Sequence, residues 1–261
     1  MDLIILFWIF AILLMLFIVS LLVVGIFFLI KGNQNKMKNL IVIGIGFIVM
    51  VIGFIGSFVF NLGFTFQEVF VFIGFVLLVV FTNMTFYKGR KSKAKVVLIV
   101  TVILGAIQLI LMTLHTQFSI NTYYFRVTLD VPYTFLVFNW MAWSSYSAYQ
   151  KIKNKNIQPW IKVRYKLVAF VSFILSFNNI PEYFQPVGTT WGDPDNLISL
   201  AVFGTTAVIS VIFAIGFSLA WMMPNWLKKF FNRNYQLLDE KEYTEEELMN
   251  LIREQLANRN N

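Results

Sequence analysis

The chain has 261 residues, 58% of them hydrophobic, 18% aromatic and only 13% charged, with a net charge of +8 and a mean hydropathy of +0.72. Soluble domains carry about 25% charged residues, so this composition excludes a water-soluble globular protein and points to a membrane protein. With no cysteine and one histidine, it also excludes disulfides, thiolate metal centres, cysteine nucleophiles and multi-histidine metal sites, and no cofactor or metal is expected.

About 20 apolar residues cross a bilayer. Seven stretches qualify or come close, at roughly 3–30, 40–61, 67–87, 95–115, 129–149, 165–184 and 197–222. The first follows only Met1-Asp2 and runs from Leu3 to Ile30. A cleaved signal peptide needs a basic start and an apolar core of about 7–15 residues, so this segment reads as an anchor.

Basic residues cluster in alternate connections. Lys31, Lys36 and Lys38 follow the first span, Lys88, Arg90, Lys91, Lys93 and Lys95 the third, Lys151 to Lys166 the fifth, and Lys228, Lys229 and Arg233 the seventh. The other connections hold Arg126 against Glu68, Asp130, Glu182, Asp193 and Asp195. Basic loops stay in the cytoplasm, so the pattern predicts an N-terminus outside and a C-terminus inside. The fold expected is an all-α integral membrane protein in the plasma membrane. Residues 1–235 form a seven-transmembrane-helix bundle, and residues 236–261 form an acidic cytoplasmic tail. The +8 charge is then a topology signal that suits an anionic inner leaflet. Lipid is the expected partner, and nucleic acid is not.

Within the spans, polar and small residues carry the information. The second span holds Gly44, Gly46, Gly53, Gly56 and Ser57, a pattern that lets helix backbones approach closely. Residues at i, i+4, i+7 and i+11 share one helix face. Thr101, Gly105, Gln108, Met112 and His115 do so in the fourth span, Ser172, Ser176, Asn179 and Tyr183 in the sixth, and Ser199, Thr206 and Ser210 in the seventh. These stripes face the bundle interior, either as interhelical glue or as the lining of a polar cavity open to the outside. Asp130 is read as the start of the fifth span, one turn before Thr134 and out of phase with Asn139.

"SFNNIPEYF", residues 176–184, reads as a helix end. Its polar groups either line an outer vestibule or form an ordinary interfacial terminus. The candidate vestibule residues are His115, Asp130, Asn178, Asn179, Glu182 and Tyr183. Residues 185–196 read as a turn-rich outer loop in which Asp195 or Asn196 caps the seventh helix. All six prolines are expected at helix ends or in loops. "PNWLKKFFNRNY", residues 224–235, reads as an interfacial collar, and "TEEELMNLIREQL" as a capped amphipathic helix over about 245–257. Leu248, Ile252 and Leu256 form its apolar stripe, which docks on the bundle or on a protein partner.

No catalytic constellation is visible. The last span has no lysine at its middle for a retinal, and no acid or histidine is expected at mid-membrane for protease or proton-path chemistry. In span count and orientation the chain resembles seven-helix receptors and the seven-helix sensor modules of prokaryotic kinases. "FYKGR" and "IFAIGF" do not match the motifs of the animal receptors, so no residue roles carry over. Two functions are expected in order. The first is a non-catalytic sensor or membrane-complex subunit acting on a partner through its cytoplasmic loops and tail. The second is a small-solute or lipid transporter using the polar faces of helices 4, 6 and 7.

Overall fold

A computed structural model describes residues 2–88, 92–118, 120–186 and 188–233. The expected tail helix, with Leu248, Ile252 and Leu256, lies outside the described residues. Among those described, the chain is helical with no strand. The elements are α1 (Leu3–Gln34), α2 (Lys38–Phe58), α3 (Phe64–Phe86), α4 (Ala94–Gln117), α5 (Tyr123–Ile152), α6 (Pro159–Leu175), α7 (Leu197–Trp221) and α8 (Asn225–Asn232), with a 3-10 helix at Ile180–Phe184.

Five helices, α1, α2, α3, α4 and α7, are long and apolar enough to cross a membrane. Their outward faces are as apolar as their inward ones. On α1, Ile4, Trp8, Ile12, Met15, Val19, Val23, Ile26 and Ile30 are exposed, while Leu14, Phe17, Leu21, Val24 and Phe28 are buried. Two apolar faces on one helix fit a lipid surround, since a surface helix in water keeps a polar face. α6 has 17 residues and carries Lys162, Arg164 and Lys166, and α5 carries Arg126 and Asp130.

Each of α1 to α7 packs on its neighbour in sequence, and α7 packs back on α1, so the helices form a closed ring. α2 is held by glycine on two sides. A Cβ added at Gly44 would stand 2.9 Å from the Gly25 carbonyl oxygen of α1, and one added at Gly74 of α3 would stand 3.2 Å from the Gly46 carbonyl oxygen. Backbones this close leave no room for side chains, as the small-residue pattern of the second span suggested.

Three expectations need correction. The sixth helix ends at Leu175, nine residues before the expected boundary. The backbone turns at 176–179 and then winds as a 3-10 helix; Pro181 has no N–H to continue the α-helical ladder back to the Phe177 carbonyl. The fifth helix begins at Tyr123 rather than 129, so Asp130 lies two turns inside it and not at its start. Pro132 consequently sits inside α5 rather than at a helix end. Its ring removes one intrahelical bond, to the carbonyl of the exposed Thr128.

At the other end of the bundle, α8 lies against α6. The Lys228 ammonium is 4.7 Å from the Trp160 ring centroid, while Trp226 and Phe230 stay exposed. A short helix with exposed aromatics and adjacent lysines suits a membrane surface.

Candidate functional site: a charged cavity inside the ring

A cavity of about 810 Å³ lies inside the ring, where the α2–α3, α4–α5 and α6–α7 connections meet, and every helix from α1 to α7 contributes to its wall. Its deeper part is aromatic. Phe75, Phe138 and Phe213 line it, with ring centroids 5.2 Å apart for Phe75–Phe138 and 5.7 Å for Phe138–Phe213. Nearer the connections the lining turns polar: Gln67, Glu68, His115, Arg126, Asp130, Asn178, Asn179 and Glu182.

α5 supplies the centre of that polar end. Arg126, Asp130 and Thr134 fall at i, i+4 and i+8, which places them on one face, and all three are buried. The Arg126 Nη2 group donates to Glu182 Oε1 at 3.5 Å, and its guanidinium lies 5.6 Å from the Tyr123 ring centroid. The Tyr123 hydroxyl donates to the Glu182 backbone carbonyl at 3.0 Å. The 3-10 helix is thereby tied to α5 through both the side chain and the backbone of Glu182. Asn179 Nδ2 donates to Asp130 Oδ2 at 2.5 Å and to Thr134 Oγ1 at 2.8 Å. Among the described residues Arg126 pairs with Glu182, and Asp130 and Glu68 lie within electrostatic reach of it without contact.

The 185–196 loop covers this end and is itself well bonded. Gln185 Nε2 donates to Thr189 Oγ1 at 2.8 Å and to Ser199 Oγ at 3.0 Å. Ser199 Oγ donates to the Thr190 carbonyl at 2.7 Å and accepts from the Gly192 amide at 3.1 Å. Asn196 caps α7, accepting from the amides of Ile198 and Ser199 at 3.1 and 3.0 Å. Trp191 then reaches the cavity, stacked on Phe58 and edge-on to Phe203.

Of the six vestibule candidates, His115, Asp130, Asn178, Asn179 and Glu182 line the cavity. Tyr183 does not: it is exposed, 39% accessible, because the helical phase that placed it on the Ser172 face ends at Leu175. That same break lets Asn178 and Asn179 both face the cavity. Among the stripe residues, Thr206 and Ser210 line it. Thr101 bonds its own helix, donating to the Val97 carbonyl at 2.9 Å, and Ser176 donates to the Phe173 carbonyl at 2.6 Å. Gln108 and Ser172 are buried away from the cavity with side-chain atoms unpartnered. Ser199 ties down the loop.

The sequence reading missed Glu68, Arg126 and Gln185, having assigned the first two to connections. Glu68, Arg126 and Asp130 lie near the starts of α3 and α5 rather than in connections. A readable signal existed for Arg126, which stands four residues before Asp130. Compared with protein-family models, with curated proteins and with solved structures, the chain matches none.

Proposed function

We propose that this chain is a non-catalytic, seven-span protein of the plasma membrane, with its N-terminus outside, that takes a small molecule into the cavity from the outer side. It then acts on a protein partner through its cytoplasmic loops and tail, as a sensor or as a membrane-complex subunit. The observation that carries this reading is the cavity itself: about 810 Å³, walled by all seven long helices, aromatic at depth and charged near the connections. Ligand pockets are typically about 300–1,000 Å³ with a mostly apolar wall and a few convergent polar groups. A ligand touching seven helices at once has the contacts needed to bias their packing, and differential contact is what a conformational signal requires. The basic inner loops and the stripe Leu248, Ile252 and Leu256 are the proposed output surface.

Native mass spectrometry of the protein extracted from its own membranes tests the reading. A co-purifying small molecule is expected in the unmodified chain and absent from Ser210→Trp, which fills the cavity. Retention of the same mass by the filled variant refutes it.

A second reading, a small-solute or lipid transporter, draws support from Thr206 and Ser210, whose side chains extend the polar lining down α7. Flux in liposomes that is lost in both Thr206→Leu and Gln108→Leu would favour it. The first reading predicts that Gln108, which lies off the cavity, has no effect on binding.

A further inference from the structure

We infer that the cavity selects an amphiphile carrying a positively charged ammonium group: the ammonium sits among Glu68, Asp130 and Glu182, and the apolar body lies against Phe75, Phe138 and Phe213. This rests on the ligand-cavity reading above and adds the chemical class of the ligand.

Three independent features point to it. First, the charges do not balance. Among the described residues, Glu68, Asp130 and Glu182 line the cavity with Arg126 as the only guanidinium and no lysine. Arg126 is engaged by Glu182, and among the described residues Glu68 makes no hydrogen bond or ion pair. Asp130 is buried and Glu68 and Glu182 are half-buried, and a carboxylate drawn out of water is stabilised by a counter-charge.

Second, among the described residues the buried unpaired atoms of the wall are four acceptors against two donors, Arg126 Nε and Trp191 Nε1, and the Thr206 hydroxyl. Gln185 is 5% exposed, lines the cavity, and its Oε1 is buried with no donor. Its amide orientation is set by Nε2 donating to Thr189 and Ser199. Glu182 Oε2, Asn178 Oδ1 and Gln67 Oε1 are buried and unpaired in the same wall. An ammonium brings three donors and no acceptor. An anionic ligand would leave those four acceptors unsatisfied and add its charge to three carboxyl groups.

Third, the acids and His115 are spread around the wall. Among the described residues, no three His, Asp or Glu side chains are grouped to hold a metal ion. The spread suits an organic cation, whose donors reach several acceptors, over a compact inorganic one. The aromatic depth supplies both apolar area and ring faces that attract cations.

The test uses the full chain in phosphatidylcholine nanodiscs with three probes of equal chain length: n-octylamine, n-octanol and octanoate. Heat of binding is read against protein-free discs. Saturable binding of octylamine is expected, at least tenfold tighter than octanoate. Glu68→Gln should weaken octylamine tenfold or more and leave octanol within twofold. Asp130→Asn is the second variant and should act in the same direction. Discs containing phosphatidylethanolamine separate the sources of the ammonium. Weaker octylamine binding there assigns the site to a lipid headgroup, and unchanged binding assigns it to a water-borne amine. Octanoate binding as tightly as octylamine, or octylamine indifferent to both substitutions, overturns the inference while leaving the cavity a ligand site. No saturable binding of any probe overturns the inference and the cavity reading together.

Discussion

Asn179 and Asp130 lie 49 positions apart and meet through one amide, whose Nδ2 group reaches Asp130 Oδ2 at 2.5 Å and Thr134 Oγ1 at 2.8 Å. This contact explains why a chain of apolar helices interrupts itself at 176–184. Continuing α6 through this stretch would place Asn178 and Asn179 about 100° apart on one helix. Ending the helix at Leu175 lets both face the cavity. Asn179→Ala is expected to cost about 1–3 kcal/mol, because it leaves two buried acceptors without a donor. Asn179→Asp should cost more, since it sets one carboxyl against another. Thermal unfolding in a single detergent checks the order, and an Asp variant as stable as the unmodified chain contradicts the arrangement.

Arg126 and Glu182 form an ion pair whose two halves are not equivalent. Glu182 interacts with one guanidinium, while Arg126 also lies within electrostatic reach of Asp130 and Glu68. Removing one member of a buried pair costs about 3–5 kcal/mol through the charge left behind. Arg126→Met strands three carboxyl groups and is expected at or above the top of that range. Glu182→Gln leaves Arg126 with two acidic neighbours and should cost no more than about half as much. Unfolding midpoints of the two variants and their double mutant decide it. Equal losses would mean that Arg126 serves Glu182 alone.

How much of this could be read from the residues depends on where each burial is decided. The helices were legible because apolar runs of about 20 residues have few other fates. Most observed boundaries fall within a few residues of the expected ones. The start of α5 was not legible. Tyr123 to Thr128 reads as an outer connection with interfacial aromatics until it is known that Arg126 finds Glu182 across the bundle, and that contact joins residues 56 apart. Pro132 was misplaced for the same reason, since its position in α5 follows from where the helix starts. Tyr183 was lost because a 3.6-residue phase was carried through a backbone that had ceased to be α-helical. Periodicity found which faces of α4, α6 and α7 are inward. It did not separate the residues that line a cavity from those that bond their own helix, as Thr101 does to Val97.

The α1–α2 contact predicts a sharp steric response. A Cβ at Gly44 would stand 2.9 Å from a backbone oxygen and 3.0 Å from the Leu29 side chain. Backbone cannot yield as a flexible side chain does, so Gly44→Ala is expected to cost about 1–3 kcal/mol by overpacking. Gly44→Val should prevent the helices from closing altogether. Size-exclusion profiles and midpoints after identical extraction measure this. A Val variant that elutes and melts like the unmodified chain would refute the close approach.

The number of spans is open to one decisive labelling experiment, because the chain contains no cysteine and any cysteine introduced is unique. Lys155, Thr190 and Ser92 are exposed positions in three different connections. If all of α1 to α7 cross, Thr190→Cys lies outside, while Ser92→Cys and Lys155→Cys lie in the cytoplasm. If only the five most apolar helices cross, α5 and α6 stay on the outer side, and Lys155→Cys moves outside with Thr190→Cys. Ser92→Cys remains inside under both alternatives and controls for leaky cells. A membrane-impermeant maleimide applied to intact cells is therefore expected to label Thr190→Cys alone. Lys155→Cys should label only after permeabilisation. That outcome follows from the six basic residues between Lys151 and Lys166, which would otherwise sit on the side where positive charge is disfavoured. It also bears on the cavity, since Arg126, Asp130, Asn179 and Glu182 all belong to α5 or to the segment after α6. Labelling of Lys155→Cys in intact cells would leave these groups outside the bilayer, where a charged pair costs little and the case for a buried ammonium site loses its force.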